Sequence, residues 1–202
     1  MGVSHTRSHP TGHDRRRVTL WPSQPATPPR RHVYRDGLAA PEPWRDRLET
    51  SMADADDLVV RAERFATRWH AGQTDKLGAP YISHPRRVAA GLTVPEQQVV
   101  AWLHDVLEDT GATREDLLAA GFPPDLVAAV DALTRRPGEA EHDYLVRVCG
   151  STLAVSVKRA DIADNRDPHR IARLPDPALR RRLTEKYDRC LALLDRLAPG
   201  AG

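Results

Sequence analysis

One short segment of this 202-residue chain crowds four ionisable side chains together. It reads His104-Asp105-Val106-Leu107-Glu108-Asp109. If the segment is helical, His104 lies one turn from Glu108, and Asp105 lies one turn from Asp109. A stripe so rich in carboxylates is costly to bury among apolar residues unless a cation compensates its charge. The segment therefore predicts a site for metal or acid–base chemistry.

The other side of the same predicted helix is apolar and must pack against the protein interior. Its members are Val99, Val100, Trp102, Leu103, Val106 and Leu107. This pattern predicts that the ionisable side chains lie at the edge of the hydrophobic core, where a cation could balance them.

Two other segments carry side chains that suit the same site. His84 ends a loop and precedes Pro85, while Asp161 and Asn165 lie one turn apart in a predicted helix. Two imidazoles and two carboxylates would neutralise a divalent ion and leave coordination positions for water or a substrate oxygen. This mixed nitrogen and oxygen set suits Mn²⁺ or Fe²⁺ better than the sulfur-rich sites of structural zinc. Alternatively, Asp161 pairs with Lys158 across one helical turn.

Three ordered motifs resemble a known family. The order His84, then His104-Asp105, then Asp161 resembles the H…HD…D signature of the HD superfamily of phosphohydrolases. Over roughly residues 58–195, the chain resembles more closely the hydrolase domain of RelA/SpoT proteins. The matching residues are Phe65-Ala66, His70-Ala71-Gly72-Gln73, Lys76, Gly78, Pro80-Tyr81-Ile82, His84-Pro85, Ala101 through Thr110, Val157-Lys158, Ala160-Asp161 and Asn165.

The resemblance implies a metal-binding role for four residues. His84, His104, Asp105 and Asp161 would hold one divalent metal, with Mn²⁺ as the favoured ion. A metal held in this way lowers the pKa of a bound water and polarises a phosphoryl oxygen.

The same resemblance implies roles for five further residues. Glu108 and Asp109 would orient or deprotonate the attacking water and assist the leaving group. Lys76 would face a nucleotide phosphate or base, and Tyr81 would shape the pocket. Asn165 would contact the sugar or phosphate region of the substrate. The implied reaction removes pyrophosphate from the 3′ position of (p)ppGpp, a small nucleotide.

The chain departs from the family at two substrate-facing places. Asp75 stands before Lys76, where the family usually has an arginine that packs against the guanine base. A carboxylate cannot stack as a guanidinium does, and it repels phosphate. Residues 166–168 also differ from the family's usual run ending in Arg-Thr. Two alternatives therefore remain open: a phosphohydrolase of another nucleotide, and a catalytically silent nucleotide-binding regulator.

Helical spacing of apolar residues dominates the chain from Asp56 onward, and no alternating strand pattern of useful length is present. The predicted fold is all-α, an HD-domain helical bundle. Helices are expected near residues 56–72, 85–92, 95–108, 113–121, 123–134, 140–149, 152–165 and 176–198, with a loop at 73–83.

The first 51 residues differ from the rest in composition. They hold 7 of the 17 prolines and nine arginines against five acidic residues. Without a sustained apolar period, such a segment cannot bury enough surface to offset chain ordering. We predict a disordered Arg/Pro-rich tail at 1–51 and a hydrolase domain at 52–198. The tail could bind nucleic acid loosely, or translation could begin at Met52.

Bulk properties exclude several classes of protein. The formal net charge of +2 is too small to imply a nucleic-acid partner, and no apolar stretch is long enough to predict a membrane span. The first 30 residues lack the apolar core of a secretory signal, which favours a cytoplasmic protein. Cys149 and Cys190 form no zinc or disulfide pattern and are expected to be ordinary thiols. The oligomeric state is left open.

Overall fold

The computed structural model describes residues 43–199, with side chains described at position 54 and from 56 onward. Within this range the regular structure consists of helices and one isolated bridge between Thr74 and Pro80, which confirms the all-α fold. The helices are α1 (Pro43–Trp69), α2 (Ser83–Ala90), α3 (Pro95–Leu103), α4 (Val106–Asp109), α5 (Arg114–Ala119), α6 (Pro124–Leu133), α7 (Glu141–Cys149), α8 (Thr152–Asn165), α9 (Pro168–Arg173) and α10 (Pro177–Leu197).

Helix α1 begins at Pro43, well before the start near Asp56 that the sequence predicts. The expectation relied on apolar spacing, and the segment before Asp56 carries little of it. The later part of α1 follows the prediction, because Ala62 and Ala66 are fully buried where α1 packs on α3. Most of the tail predicted at 1–51 lies outside the described residues, and the domain boundary at 52 stays a prediction.

Helix α3 lies at the centre of the fold and packs against α1, α2, α6 and α8. Its last five residues, from Val99 to Leu103, are all buried. Val106 is buried as well, while Leu107 is partly buried and packs against the same core. The apolar side expected from the sequence is therefore present in the core.

The single helix expected at 95–108 is wrong, because the chain turns at His104 and Asp105 between α3 and α4. The His104 side chain explains this interruption. Its Nδ1 lies 2.7 Å from the carbonyl oxygen of Ala101, the oxygen that the Asp105 N–H would use in a continuous helix. The turn places the two side chains at the end of a buried helix.

Helix α8 lies against α2, α3, α6, α7 and α10, so it brings Asp161 close to residues from the first half of the domain. Ser151 caps its start by accepting a hydrogen bond from the Ala154 N–H at 3.2 Å. Thr113 and Asp176 likewise cap the starts of α5 and α10.

The six-residue helix α9 is missing from the sequence prediction. Asp167 caps it by accepting a hydrogen bond from the Arg170 N–H at 2.9 Å, and Pro168 occupies its first turn. Asp176-Pro177 opens α10 with the same pair of residue types. Helix α9 buries none of its residues, so it has no apolar period by which a sequence could reveal it.

Adjacent residues on α7 provide a test of the packing. Leu145 is fully buried and Val146 is 47% exposed. Leu145→Ala should lower the free energy of unfolding by about 2–5 kcal/mol, because the surrounding core cannot fully close the cavity. Val146→Ala should change it by no more than about 0.5 kcal/mol. Urea unfolding followed by circular dichroism measures both values, and equal effects would contradict this orientation of α7.

No helix within residues 43–199 combines the length and the apolar character needed to cross a membrane.

Candidate metal centre

Three parts of the fold bring the four predicted metal ligands together. His84 lies on α2, His104 and Asp105 occupy the turn between α3 and α4, and Asp161 lies on α8. Nε2 of His84 is 3.2 Å from Oδ1 of Asp161 and 3.6 Å from Oδ2 of Asp105. Nε2 of His104 is 3.1 Å from Oδ2 of Asp105 and 3.9 Å from Oδ1 of Asp161.

These distances suit a common cation. Ligand atoms of His84, His104 and Asp105 all lie within 4.8 Å of one another. Asp161 faces both imidazoles from the opposite helix. The role of these four residues as metal ligands remains a proposal.

The orientation of His104 tests whether the cluster suits a metal. Its Nδ1 contacts the carbonyl oxygen of Ala101, which can only accept a hydrogen bond, so Nδ1 carries the proton. In the neutral ring, Nε2 then presents a lone pair toward the Asp105 carboxylate. It is buried and has no hydrogen-bond partner among the described residues. A lone pair beside a carboxylate needs a cation between them, and the donor set therefore fits a divalent ion.

His84 shows the same orientation. Its Nδ1 lies 2.7 Å from Oδ2 of Asp164, while its Nε2 faces Asp105 and Asp161. In the neutral ring, a proton on Nδ1 leaves the Nε2 lone pair directed into the cluster. Both histidines thus direct the same nitrogen toward the same two carboxylates.

The carboxylates change the protonation of the rings. Burial lowers the pKa of His84, but hydrogen bonds with Asp161 and Asp164 outweigh it and raise the pKa to about 9. For His104, burial again lowers the pKa, and the Asp105 charge outweighs burial and raises it. The cluster therefore attracts positive charge, which a divalent ion would supply in place of the ring protons.

The two oxygens of Asp161 have different partners. Oδ2 accepts a hydrogen bond from the Lys158 ammonium at 2.8 Å, and Oδ1 accepts one from the Asn165 amide at 2.6 Å. Burial raises the pKa of Asp161, but the Lys158 charge outweighs it and holds the pKa well below its usual range. Pairing with Lys158 and binding a metal are thus compatible, because Oδ1 is the oxygen that faces the histidines.

Glu108 and Asp109 lie on α4, which follows the turn formed by His104 and Asp105. Oε2 of Glu108 accepts a hydrogen bond from the backbone N–H of Arg135 at 2.8 Å. Oδ2 of Asp109 lies 2.8 Å from the Tyr81 hydroxyl, which is also 2.6 Å from Oδ2 of Asp105. The two carboxylates therefore have different neighbours.

Tyr81 keeps its proton in this position. Burial, followed by the charges and hydrogen bonds of Asp105 and Asp109, raises the pKa of Tyr81 well above its usual range. Its hydroxyl can therefore donate to one of the two carboxylates at a time.

A cavity of about 490 Å³ opens above the cluster. All nine predicted site residues line it: Lys76, Tyr81, His84, His104, Asp105, Glu108, Asp109, Asp161 and Asn165. Its volume lies in the range of small-molecule sites. Asn165 also hydrogen-bonds Asp161, a contact that the sequence did not predict.

Several lining residues were missed by sequence reasoning. Arg135, Arg170 and Lys186 add positive charge to the cavity lining, and Tyr187 adds an aromatic surface. Arg135 lies in the loop after α6, Arg170 lies on α9, and Lys186 and Tyr187 are neighbours on α10. None belongs to a motif with fixed spacing. Only contact in the folded chain brings them together.

Asp75 has a structural function in the loop. Its Oδ1 accepts hydrogen bonds from the N–H groups of Leu77 and Ala79 at 2.9 and 3.0 Å. Its Oδ2 lies 3.4 Å from the guanidinium of Arg170. The negative charge that sequence reasoning expects to repel phosphate is thus compensated by loop amides and by a cation from α9.

Fold and site together define an all-α domain in which two histidines and two aspartates, from two helices and one turn, meet in one cavity. No family model matches the chain. A GTP pyrophosphokinase rsh of Brucella ovis is 36% identical over 95 residues, which cover 45% of this chain and 12% of that protein. A GTP pyrophosphokinase of Streptomyces coelicolor is 37% identical over 109 residues, covering 50% of this chain and 12% of the other.

A third relative carries the name of a hydrolase. It is a guanosine-3′,5′-bis(diphosphate) 3′-pyrophosphohydrolase of Aquifex aeolicus, 43% identical over 63 residues, or 29% of this chain and 9% of that protein. The chain thus spans about a tenth of the length of these curated relatives.

A solved structure shares the fold. It is described as a metazoan ortholog of SpoT that hydrolyses ppGpp and plays a role in starvation responses. The TM-score is 0.58 at 22% identity, over 72% of this chain and 87% of that one. This likeness confirms the fold, and the curated relatives confirm a sequence resemblance to RelA/SpoT-type proteins over part of the chain.

Proposed function

We propose that this protein is a metal-dependent hydrolase that removes pyrophosphate from the 3′ position of (p)ppGpp. The convergence of His84, His104, Asp105 and Asp161 beside Glu108 carries the proposal. In particular, the buried Nε2 of His104 has no hydrogen-bond partner among the described residues. The names of the Aquifex relative and of the metazoan SpoT ortholog support the choice of substrate.

The four ligands would hold one divalent ion, with Mn²⁺ as our first choice because of the mixed nitrogen and oxygen donors. When bound, such an ion lowers the pKa of a water molecule that it binds and polarises a phosphoryl oxygen. The protein contributes the positions of the ligands and a partly enclosed cavity.

Glu108 and Asp109 would handle the protons of the reaction. A water oxygen bonds to the phosphorus attached to the 3′ oxygen, and the bond between that phosphorus and the 3′ oxygen breaks. Glu108, held by the Arg135 N–H, accepts the proton of the water. Asp109, which contacts the Tyr81 hydroxyl, gives its carboxyl proton to the departing 3′ oxygen, and exchange with solvent then returns both carboxyl groups to their starting states.

The remaining lining residues would bind the nucleotide. Lys76, Arg135 and Lys186 offer ammonium and guanidinium groups for phosphates around the cavity. Tyr187 offers an aromatic surface to the base or sugar. Asn165 would reach the sugar or phosphate region from its position beside Asp161.

A second candidate is hydrolysis of another phosphorylated nucleotide. It is favoured by Asp75, which stands where the family usually has an arginine against guanine. Asp75 is held by loop amides and by Arg170. Nothing at position 75 therefore replaces the surface that the family's arginine presents to guanine. A catalytically silent nucleotide-binding regulator is a weaker alternative, since Glu108 and Asp109 remain beside the cluster.

We expect the purified protein with Mn²⁺ to release pyrophosphate from ppGpp. Chelation with EDTA should abolish the release, and added Mn²⁺ should restore it, because the ion supplies the activated water. A panel of nucleoside tetraphosphates, triphosphates and cyclic nucleotides, assayed for pyrophosphate and phosphate, tests the alternative substrate. Activity on another nucleotide of the panel with none on ppGpp would reject ppGpp as the substrate. Failure of the metal-free protein to bind Mn²⁺ would reject the proposal of a metal-dependent hydrolase.

A further inference from the structure

Asp164 is a partly buried acid to which no step of the proposed reaction assigns a role. It lies on α8 between Asp161 and Asn165, and its side chain is 9% exposed. Its Oδ2 is 2.7 Å from Nδ1 of His84. Burying a carboxylate here is unfavourable unless its partners compensate the charge, so its contacts require an explanation.

Two arginines hold Asp164 from different helices. Nε of Arg87 donates to Oδ1 at 2.6 Å, and another nitrogen of the same guanidinium reaches Oδ2 at 3.2 Å. Arg170 of α9 also donates to Oδ2. Arg87 lies on α2, three residues after His84. One helix therefore supplies both the imidazole and a guanidinium that holds Asp164, the carboxylate partner of that imidazole.

The position of this carboxylate matters for His84. An imidazole that binds a cation through Nε2 needs its proton on Nδ1 and its ring fixed in one plane. A carboxylate at Nδ1 meets both needs and increases the electron density available at Nε2. Asp164 lies on the side of the ring opposite the cluster, which is the arrangement that directs Nε2 toward Asp161.

The two histidines of the cluster differ in this respect. Nδ1 of His104 contacts the neutral carbonyl of Ala101, which its own backbone turn provides. His84 instead depends on a charged side chain from a helix 80 positions later in the chain. A single side-chain substitution at Asp164 can therefore remove the group that fixes the His84 ring, whereas no such substitution removes the backbone partner of His104.

We propose that Asp164 is a positioning residue of the metal centre, which holds His84 with Nε2 toward the ion and is itself held by Arg87 and Arg170. The inference rests on the proposed metal site. Asp164 does not contact the reacting atoms in this role, and its effect on metal binding passes through His84.

Metal binding without substrate tests the inference directly. Titration of the metal-free protein with Mn²⁺ in a calorimeter should show that Asp164→Ala lowers affinity by about 10- to 100-fold, the usual effect of losing such an outer partner. Asp164→Asn should lose less, because its amide oxygen still accepts the Nδ1 proton. Absorption of the Co²⁺-loaded protein should change in Asp164→Ala, because the ligand ring is no longer fixed.

A matched control is available on α6. Asp131 also has two arginine partners, at 3.0 Å from Arg114 and 3.8 Å from Arg136, but it does not line the cavity. Asp131→Asn should leave Mn²⁺ affinity and the Co²⁺ spectrum unchanged. Thermal unfolding of each metal-free variant shows whether the fold is retained.

The charge-balanced double variant Asp164→Asn, Arg170→Gln serves if Asp164→Ala does not fold, and it should also bind Mn²⁺ more weakly. Folded Asp164 variants with the affinity and Co²⁺ spectrum of the original protein would overturn the inference. Absence of Mn²⁺ binding in the original protein would instead overturn the proposed metal site, so the two failures are distinguishable.

Discussion

Replacing Glu108 with glutamine should abolish pyrophosphate release from ppGpp while Mn²⁺ remains bound. The glutamine carbonyl can still accept the hydrogen bond that the Arg135 N–H donates to Glu108, so the side chain should stay in place. A neutral amide cannot take the proton of the attacking water, however. The expected loss in kcat is about 10²- to 10⁴-fold, the usual contribution of a positioned acid or base. Steady-state kinetics and calorimetric titration with Mn²⁺ measure the two properties separately.

Glu115→Gln is a suitable control, because Glu115 is exposed on α5 and does not line the cavity. It should retain full activity and full metal binding. If Glu108→Gln turned over substrate normally, the proton would be taken by another carboxylate, and Asp109 would be the first to test. A parallel loss of Mn²⁺ in Glu108→Gln would show instead that Glu108 supports the metal.

Local patterns in the sequence predict the part of the cluster that contains His104 and Asp105, while His84 and Asp161 join it through the resemblance to the RelA/SpoT hydrolase domain. His104 and Asp105 follow five buried residues of α3, and that apolar run is visible without a structure. Helices α5 and α10 are likewise predictable from their capping residues, since a cap is a contact between near neighbours in the chain. Local patterns of this kind are readable wherever both partners lie within one or two turns.

The break between α3 and α4 could not be predicted in the same way. Apolar spacing continues from Leu103 to Val106, and nothing in it distinguishes one helix from two. The decisive event is the contact of His104 Nδ1 with the Ala101 carbonyl. A histidine in a helix makes this contact only when the surrounding core fixes its ring, so the outcome depends on tertiary packing.

The effect of the Asp75 charge also could not be predicted from the sequence. A carboxylate before Lys76 suggests repulsion of phosphate when only its neighbours in sequence are considered. In the fold, Arg170 lies 3.4 Å from Oδ2 of Asp75, although 95 positions separate them. The compensating residue belongs to α9, a short helix with no buried residues and therefore no sequence period. Substrate-facing charge is thus set by long-range contacts that motifs do not contain.

Asp105→Ala should have a different effect from Glu108→Gln, because it should remove both metal binding and turnover. Asp105 supplies the carboxylate closest to His104 and also lies within 3.6 Å of Nε2 of His84. Without it, two imidazoles would face Asp161 alone, and the donor set would lose a negative charge. We expect Mn²⁺ affinity to fall by more than the roughly 10- to 100-fold typical of an outer partner. Calorimetric titration and pyrophosphate release measure the two losses.

Asp125→Ala provides the comparison, since Asp125 is exposed on α6 and does not line the cavity. It should keep both properties. The Asp105 variant should also differ from Asp164→Ala, in which weaker binding can be overcome by excess Mn²⁺ because all four ligands remain. Wild-type Mn²⁺ affinity in Asp105→Ala would remove Asp105 from the ligand set and leave His84, His104 and Asp161 to hold the ion. Loss in Asp105→Ala with retention in Glu108→Gln would separate the residues that hold the metal from the residue that moves the proton.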